Sequence, residues 1–171
     1  MTSTLQVQTL QGPTSGADSN TIRVADGHKL YAQGHVVQVQ TYHVAAVAGN
    51  IATTSDAWQE TGATVTITPE FSNSLITCDF VTPMSKVPGG TGVLNTRLLL
   101  NNVGYGGSYT AGYTDPDSSY NPIVFKTIHG GLAAGIPVEF NVQFRTGTNT
   151  QTVIFAYGES SITMTLTEIA Q

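Results

Sequence analysis

The stretch that decides the fold is the C-terminal segment GESSITMTLTEIAQ, residues 158–171. Ile162, Met164 and Leu166 alternate with threonines, and a period of two residues is typical of a strand that buries one face. The pattern runs almost to the last residue, although chain ends usually fray unless neighbouring structure holds them. We therefore expect this strand to lie inside a sheet, with the rest of the chain arranged to receive it.

The preceding segments carry the same type of pattern. Alternating or continuous apolar residues predict strands within residues 35–43, 63–68, 75–81, 93–100, 123–128, 138–145 and 152–157. Turn residues separate these segments, and no stretch of helical length has a convincing 3.6-residue period. Eight or nine strands joined by turns predict an all-β protein, an antiparallel β-sandwich of the jelly-roll type.

The first 33 residues differ from the rest. Residues 4–10 and 21–24 read as short strands around a turn-rich loop, and the whole segment is too short and too polar to form a core. We interpret residues 1–33 as an extended N-terminal arm for attachment or subunit exchange, and residues 34–171 as the β-sandwich. The apolar residues expected to make the contacts of the arm are Leu5, Val7, Leu10, Ile22 and Val24.

Composition excludes several classes of partner. Charged residues make up 10% of the 171-residue chain, against roughly 25% in ordinary domains. Six Lys and Arg residues and a net charge of −5 argue against nucleic acid, which requires clustered positive charge. No apolar run is long enough to span a bilayer, and we expect no signal peptide and no membrane insertion. Cys78 is the single cysteine, so we expect no internal disulfide and a buried, inert thiol.

Candidate catalytic and metal-binding groups are weak. Asp56 and Glu60 flank Trp58, and a glycosidase needs two carboxylates, but a polar loop leading into a strand explains them better. Asp115 and Asp117 could supply calcium oxygens, although an acidic turn is the commoner explanation. Close metal-ligand pairing is absent among the histidines, which are His28, His35, His43 and His129. We predict no enzymatic activity, no cofactor and no metal site.

A tyrosine-rich segment is the best candidate for recognition. Residues 101–122 have the composition of a long exposed loop, rich in Gly, Ser and Asp. Tyrosine offers a large amphipathic contact area at low entropic cost, and glycine and serine offer adaptability. The loop is expected either to bind something foreign or to pack against its own protein. Its candidate contact residues are Tyr105, Tyr109, Tyr113 and Tyr120.

Several short motifs occur in a characteristic order. They are STLQVQTLQ (3–11), IRV (22–24) with Gly27, GHVVQV (34–39), TGATVTITP (61–69), NSLI (73–76), GESSIT (158–163) and EIA (168–170). Together they resemble a family of small β-rich virion proteins of tailed bacteriophages, particularly marine ones, described as structural or tail-fibre-like. Leu75 stands where that pattern usually has lysine, and residues 101–122 have no counterpart in it.

The resemblance implies a homotrimeric β-sandwich on the virion surface, without catalytic residues. The single cysteine fits folding in a reducing host cytoplasm. A Thr-, Asn- and Gln-rich surface with few charges agrees with it, because little charge must be desolvated when subunits pack. The partners expected are other copies of the chain, the capsid shell or the tail, and a host surface glycan or receptor.

Three functions remain open from the sequence. A capsid decoration (cement) protein is favoured slightly, because the arm is short and neither heptads nor collagen-like repeats suggest a shaft. A tail fibre or receptor-binding tip is the alternative within the virion. A carbohydrate-binding, lectin-like module is the alternative outside it, with Trp58 or the tyrosines stacked on sugar rings.

Overall fold

The computed structural model describes residues 32–45, 49–85, 93–101, 103–111, 121–147, 152–158 and 160–171, with the backbone alone for 84–85, 105–111 and 121. Within these residues there are ten strands and no helix. The strands are β1 (Val36–Val44), β2 (Ile51–Thr53), β3 (Gln59–Ile67), β4 (Leu75–Ser85), β5 (Leu94–Leu100), β6 (Val103–Ala111), β7 (Asn121–His129), β8 (Val138–Thr146), β9 (Val153–Ala156) and β10 (Ile162–Ile169).

Residues 33–171 form one compact unit. The five residues assigned to the arm, Leu5, Val7, Leu10, Ile22 and Val24, lie outside the described residues. The function assigned to residues 1–33 therefore stays a prediction.

The strands pair as a nested set, which defines the fold. β1 pairs with β10, β2 with β9, β3 with β8, β4 with β7 and β5 with β6, all antiparallel. Two further antiparallel pairings, β10 with β4 and β5 with β8, roll this long hairpin into two four-stranded sheets. Sheet I has the order β1-β10-β4-β7 and sheet II the order β3-β8-β5-β6. This is the winding of a jelly roll, and the predicted fold class is confirmed.

The C-terminal strand lies inside sheet I, as its pattern predicts. β10 is hydrogen-bonded to β1 on one side and to β4 on the other. Ile162, Met164 and Leu166 are completely or almost completely buried, whereas the threonines between them are partly exposed. Burial of each such side chain contributes roughly 1.5–3 kcal/mol, so this strand is a large part of the core.

Four phenylalanines join the two sheets. Phe80 of β4 stacks on Phe125 of β7, with ring centroids 4.7 Å apart. Phe155 of β9 lies 5.8 Å from Phe80 and 5.4 Å from Phe144 of β8. Aromatic pairs at these separations add to simple burial. The short strand β9 thus connects the aromatic residues of sheet I with those of sheet II.

Three regions outside the predicted strands are partly strand. Residues 103–111 form β6, the edge strand of sheet II, and residues 51–53 form β2. β4 continues to Ser85 through Pro83, where the register with β7 shifts between Thr82 and Ser85. A proline lacks the N–H group that a regular ladder needs, and the irregular register at this point accommodates it. β7 likewise begins two residues earlier than predicted, at Asn121.

Candidate functional site

The tyrosine segment is not an uninterrupted loop. Tyr105 and Tyr109 belong to β6, where the structure describes the backbone alone, and Tyr113 and Tyr120 lie outside the described residues. β6 pairs antiparallel with β5, and the register of this pairing shifts between Thr96 and Leu98. The loop interpretation is therefore wrong for residues 103–111, and the contact role of the four tyrosines stays a prediction.

Cys78 has the properties expected of an inert thiol. Its side chain is completely buried in β4. Burial, together with the neighbouring charge of Asp79, raises the pKa of the Cys78 thiol to about 12. Since the thiolate is the reactive form, this cysteine stays protonated and unreactive near neutral pH.

The described acidic and histidine candidates do not form a site, and Asp115, Asp117 and His28 lie outside the described residues. Asp56 and Glu60 are both exposed, and a Glu60 carboxylate oxygen accepts a hydrogen bond from the Gln143 amide. His129 is buried and hydrogen-bonded to Thr127 at 2.8 Å, with burial lowering its pKa. Among the described residues, no group of three or more His, Cys, Asp and Glu side chains is arranged to hold a metal ion.

The outer face of sheet I is neutral and partly apolar, and we call it the Thr–Val face. Register aligns its side chains in three rows across β1, β10, β4 and β7. The rows are His43, Thr163, Val81 and Val124; Thr41, Thr165, Asp79 and Lys126; and Val39, Thr167, Thr77 and Ile128.

Exposed apolar side chains are concentrated on the Thr–Val face. The exposed fractions are 52% for Val39, 37% for Val81, 67% for Val124 and 58% for Ile128. These are four of the seven large hydrophobic side chains that are exposed in the described part of the chain. A concentration of this kind on one sheet face indicates an interaction surface, whereas scattered single residues would need no explanation.

The charges of the Thr–Val face neutralise each other. Lys126 Nζ lies 3.1 Å from Asp79 Oδ1, so the two charges of the central row form an ion pair. His43 Nδ1 and Thr163 Oγ1 are 2.8 Å apart, within hydrogen-bond distance. The ion pair lines a depression of about 330 Å³ together with Val81, Val124, Thr163 and Thr165. A partner covering this face would not need a compensating charge of its own.

The outer face of sheet II carries a second cluster, which we call the Trp58 cluster: Trp58, Glu60, Arg97, Gln143 and Arg145. The Arg97 guanidinium carbon lies 4.3 Å from the centroid of the Trp58 ring, and that of Arg145 lies 4.4 Å from it. Both separations are within the range of a cation–π interaction. A single aromatic ring therefore gathers two positive charges.

Hydrogen bonds hold the Trp58 cluster across three strands. Arg97 donates from Nε and Nη2 to Oε1 of Gln143, at 2.8 and 2.5 Å, and Gln143 donates to Glu60. Arg145 Nη1 donates to the carbonyl oxygen of Asp56 at 3.3 Å. The row Glu60, Gln143, Arg97 follows the register of β3, β8 and β5.

The two guanidinium groups repel one another. Burial lowers the pKa of Arg97, the neighbouring charge of Arg145 lowers it further, and Glu60 opposes both effects. Within the part of the chain that the structure describes, no carboxylate oxygen lies within 4 Å of either guanidinium. The two guanidinium groups thus lie close together, and their hydrogen-bond acceptors are the neutral Gln143 amide and Asp56 carbonyl. Sequence reasoning identified Trp58 but not its two arginines, which lie far away in the chain.

Comparisons with known proteins leave the function open. No family model matches the chain, and no curated protein matches it. Dimeric latent PorU from Porphyromonas gingivalis is a structural neighbour at 9% identity and a TM-score of 0.39, covering 88% of this chain and 15% of PorU. The VP2 subviral particle of infectious bursal disease virus is another, at 11% identity and a TM-score of 0.36.

The VP2 match covers 92% of this chain and 49% of VP2, so the chain spans less than half of either neighbour. Neither similarity decides a function, and neither neighbour is a tailed-bacteriophage protein, so the family resemblance stays a prediction. Within the described residues, no helix has the length and apolar character needed to cross a membrane.

Proposed function

We propose that this protein is a non-enzymatic structural protein of a bacteriophage virion, a homotrimeric surface module that acts as a capsid decoration protein. It is made in the host cytoplasm and placed on the virion surface. The observation that carries the proposal is the Thr–Val face, a neutral and apolar sheet surface on a charge-poor jelly roll.

The physical argument concerns the free energy of association. Val39, Val124 and Ile128 lose water-exposed apolar surface when a second subunit covers them, at roughly 25 cal/mol per Å². The threonines between them are short, so little side-chain entropy is lost at the contact. Because the Lys126–Asp79 pair is already neutral, only one pre-formed ion pair must be accommodated. The apolar side chains are typical of the central part of a subunit interface, whereas burial of the ion pair is a cost that they must offset.

Placement on the head is preferred over placement on the tail. A decoration protein needs a compact body and an arm that grips the shell, and residues 33–171 are such a body. Within the 171 residues there are neither heptads nor collagen-like repeats of the kind that form the shaft of a tail fibre. A tail-tip role remains the alternative within the virion.

Glycan binding is the second candidate, and the Trp58 cluster favours it. Aromatic rings pack on the apolar faces of sugars, while amide and guanidinium groups bind their polar atoms. The cluster lies on sheet II and the Thr–Val face on the outer side of sheet I, so one module can assemble and bind a ligand at once.

Solution mass tests the homotrimer. Light scattering coupled to size exclusion should give three times the 18.0 kDa chain mass, about 54 kDa. Val124→Glu and Ile128→Glu should shift the protein to monomer, because each places an unpaired charge in the contact. Thr66→Glu adds the same charge to an exposed position of sheet II and should leave the trimer intact. A wild-type monomer at all concentrations, or a trimer in both variants, would contradict the proposal.

A further inference from the structure

The Trp58 cluster brings two of the described cationic side chains together without an ion pair. Three cationic side chains, Arg97, Lys126 and Arg145, are described there. Lys126 is paired with Asp79, whereas the other two lie over the same tryptophan ring. In a chain with six Lys and Arg residues, such a convergence of like charges costs electrostatic energy, which Glu60 offsets only in part.

Donor groups remain available in the cluster. Arg97 uses Nε and Nη2 for Gln143, and Arg145 uses Nη1 for Asp56. Each guanidinium carries five N–H groups, so both keep terminal donors without an acceptor among the described residues. Arg145 Nε is buried without any hydrogen-bond partner there. Terminal guanidinium donors match the two oxygens of a carboxylate.

The neighbouring groups suit a sugar better than a bare anion. Trp58 is half-buried and supplies a flat aromatic surface, and the Gln143 amide holds Arg97 in place and keeps one N–H group beyond its bond to Glu60. Two guanidinium groups are too few for a polyphosphate chain, which needs several clustered cations. A carboxylate on a sugar ring combines one negative charge with an apolar face.

We propose that Trp58, Arg97 and Arg145 form a binding site for a carboxylate-bearing sugar of an acidic glycan, such as a uronic or sialic acid. Arg97 and Arg145 bind the carboxylate, and Trp58 contacts the ring of the sugar. Glu60 lowers the affinity for such a ligand, because its negative charge repels the carboxylate of the sugar. The inference rests on the glycan-binding candidate and is independent of virion placement and of the trimer.

The first experiment is a glycan array probed with the full-length protein. Glycans bearing uronic and sialic acids should be retained, and neutral glycans should be retained weakly or not at all. Retention of neutral glycans alone would support glycan binding but overturn the acidic-sugar site. Retention of no glycan would overturn both.

The second experiment locates the site and identifies the charge requirement. Trp58 is the chain's single tryptophan, so its fluorescence reports directly on the cluster. Titration with trigalacturonic acid should change the emission, and its methyl ester, which replaces each carboxylate by an uncharged ester, should bind at least about tenfold more weakly. Equal affinity for the acid and the ester would overturn the assignment. Acetate that displaces trigalacturonic acid at the same concentration as a uronic acid would also overturn it, because the sugar ring would then contribute nothing.

Variants give effects of opposite sign. Arg97→Gln and Arg145→Gln should each weaken binding about tenfold or more, whereas Arg97→Lys should keep part of the affinity. Glu60→Gln should tighten binding a few-fold, because it removes a repelling charge. Urea unfolding of each variant checks that it is folded, and Arg97→Lys tests the site if Arg97→Gln does not fold. Unchanged binding in folded Arg97→Gln and Arg145→Gln would place the ligand elsewhere.

Discussion

Glu168 carries a carboxylate but lies in the interior of the sandwich. It is a completely buried glutamate at the end of β10. Its carboxylate accepts hydrogen bonds from Gln38 Nε2 at 2.7 Å, from the Glu70 amide at 2.9 and 3.1 Å, and from the Phe71 amide at 3.2 Å. Such charge-assisted bonds compensate for burial of the group. Glu168 therefore ties β10 to β1 and to the segment that follows β3.

Replacing Glu168 should therefore destabilise the sandwich. Glu168→Ala leaves three donors without their acceptor and should lower the free energy of unfolding by about 3 kcal/mol. Glu168→Gln keeps the shape and one acceptor oxygen, so its loss should be smaller, about 1–2 kcal/mol. Urea unfolding of the two variants measures the difference. Equal stability of wild type and Glu168→Ala would show that these bonds contribute nothing net.

His129 should make stability depend on pH. Burial lowers its pKa below the ordinary value of 6.5, so the folded state holds it neutral while the unfolded state binds a proton. The unfolded state then binds more protons, and the free energy of unfolding falls as pH drops below about 6.5, by at most about 1.4 kcal/mol per pH unit.

Urea unfolding between pH 8 and pH 5.5 measures this dependence. His129→Gln keeps a hydrogen-bonding side chain that does not titrate, and it should flatten the curve in this range. A variant curve parallel to that of wild type would assign the dependence to other groups.

At the scale of elements, periodicity predicts strands that have one buried face. The alternation in β10 and β8 identifies their buried residues, because the opposite faces of these strands meet different surroundings. Glu168 shares the parity of Ile162, Met164 and Leu166, so the same pattern contains the signal for its burial. The sequence did not predict β6, because its glycines and serine are typical of loops. Pairing with β5 stabilises this segment as a strand.

The central position of β10 gives an element-scale prediction. Thr165 lies between Thr41 of β1 and Asp79 of β4. Thr165→Pro removes a ladder hydrogen bond in an inner strand and should lower the free energy of unfolding by at least about 3 kcal/mol. Thr165→Ala keeps the backbone bond and should lose under about 1 kcal/mol. Thermal unfolding separates the two variants, and equal losses would contradict a backbone role for this position.

At the scale of the whole molecule, the nested pairing places two different surfaces on the outer sides of two sheets. The fold class follows from the number of strands and the turns between them. The Trp58 cluster does not, because β3, β5 and β8 come together only through sheet register. The Thr–Val face can be predicted only in part. The alternation in β10 shows that its threonines share one face, but only sheet register places the apolar residues of β7 beside them.

Removal of the first 32 residues tests the division of the chain. Residues 33–171 contain all ten described strands and form one compact unit, so the truncated protein should unfold cooperatively and bind acidic glycans like the full chain. The predicted arm should affect attachment or trimer formation instead. Calorimetry measures whether the truncated chain unfolds cooperatively, and light scattering measures whether it still forms a trimer. A truncated chain that does not fold would place these residues in the core.

The most direct test of the central claim is imaging of the phage particle by electron cryomicroscopy, with and without this protein. The account predicts trimeric density on the outside of the head at the local threefold positions, absent from particles that lack the protein. Density at the tail would assign the tail-tip role instead. Absence of the protein from purified particles would contradict the virion assignment itself.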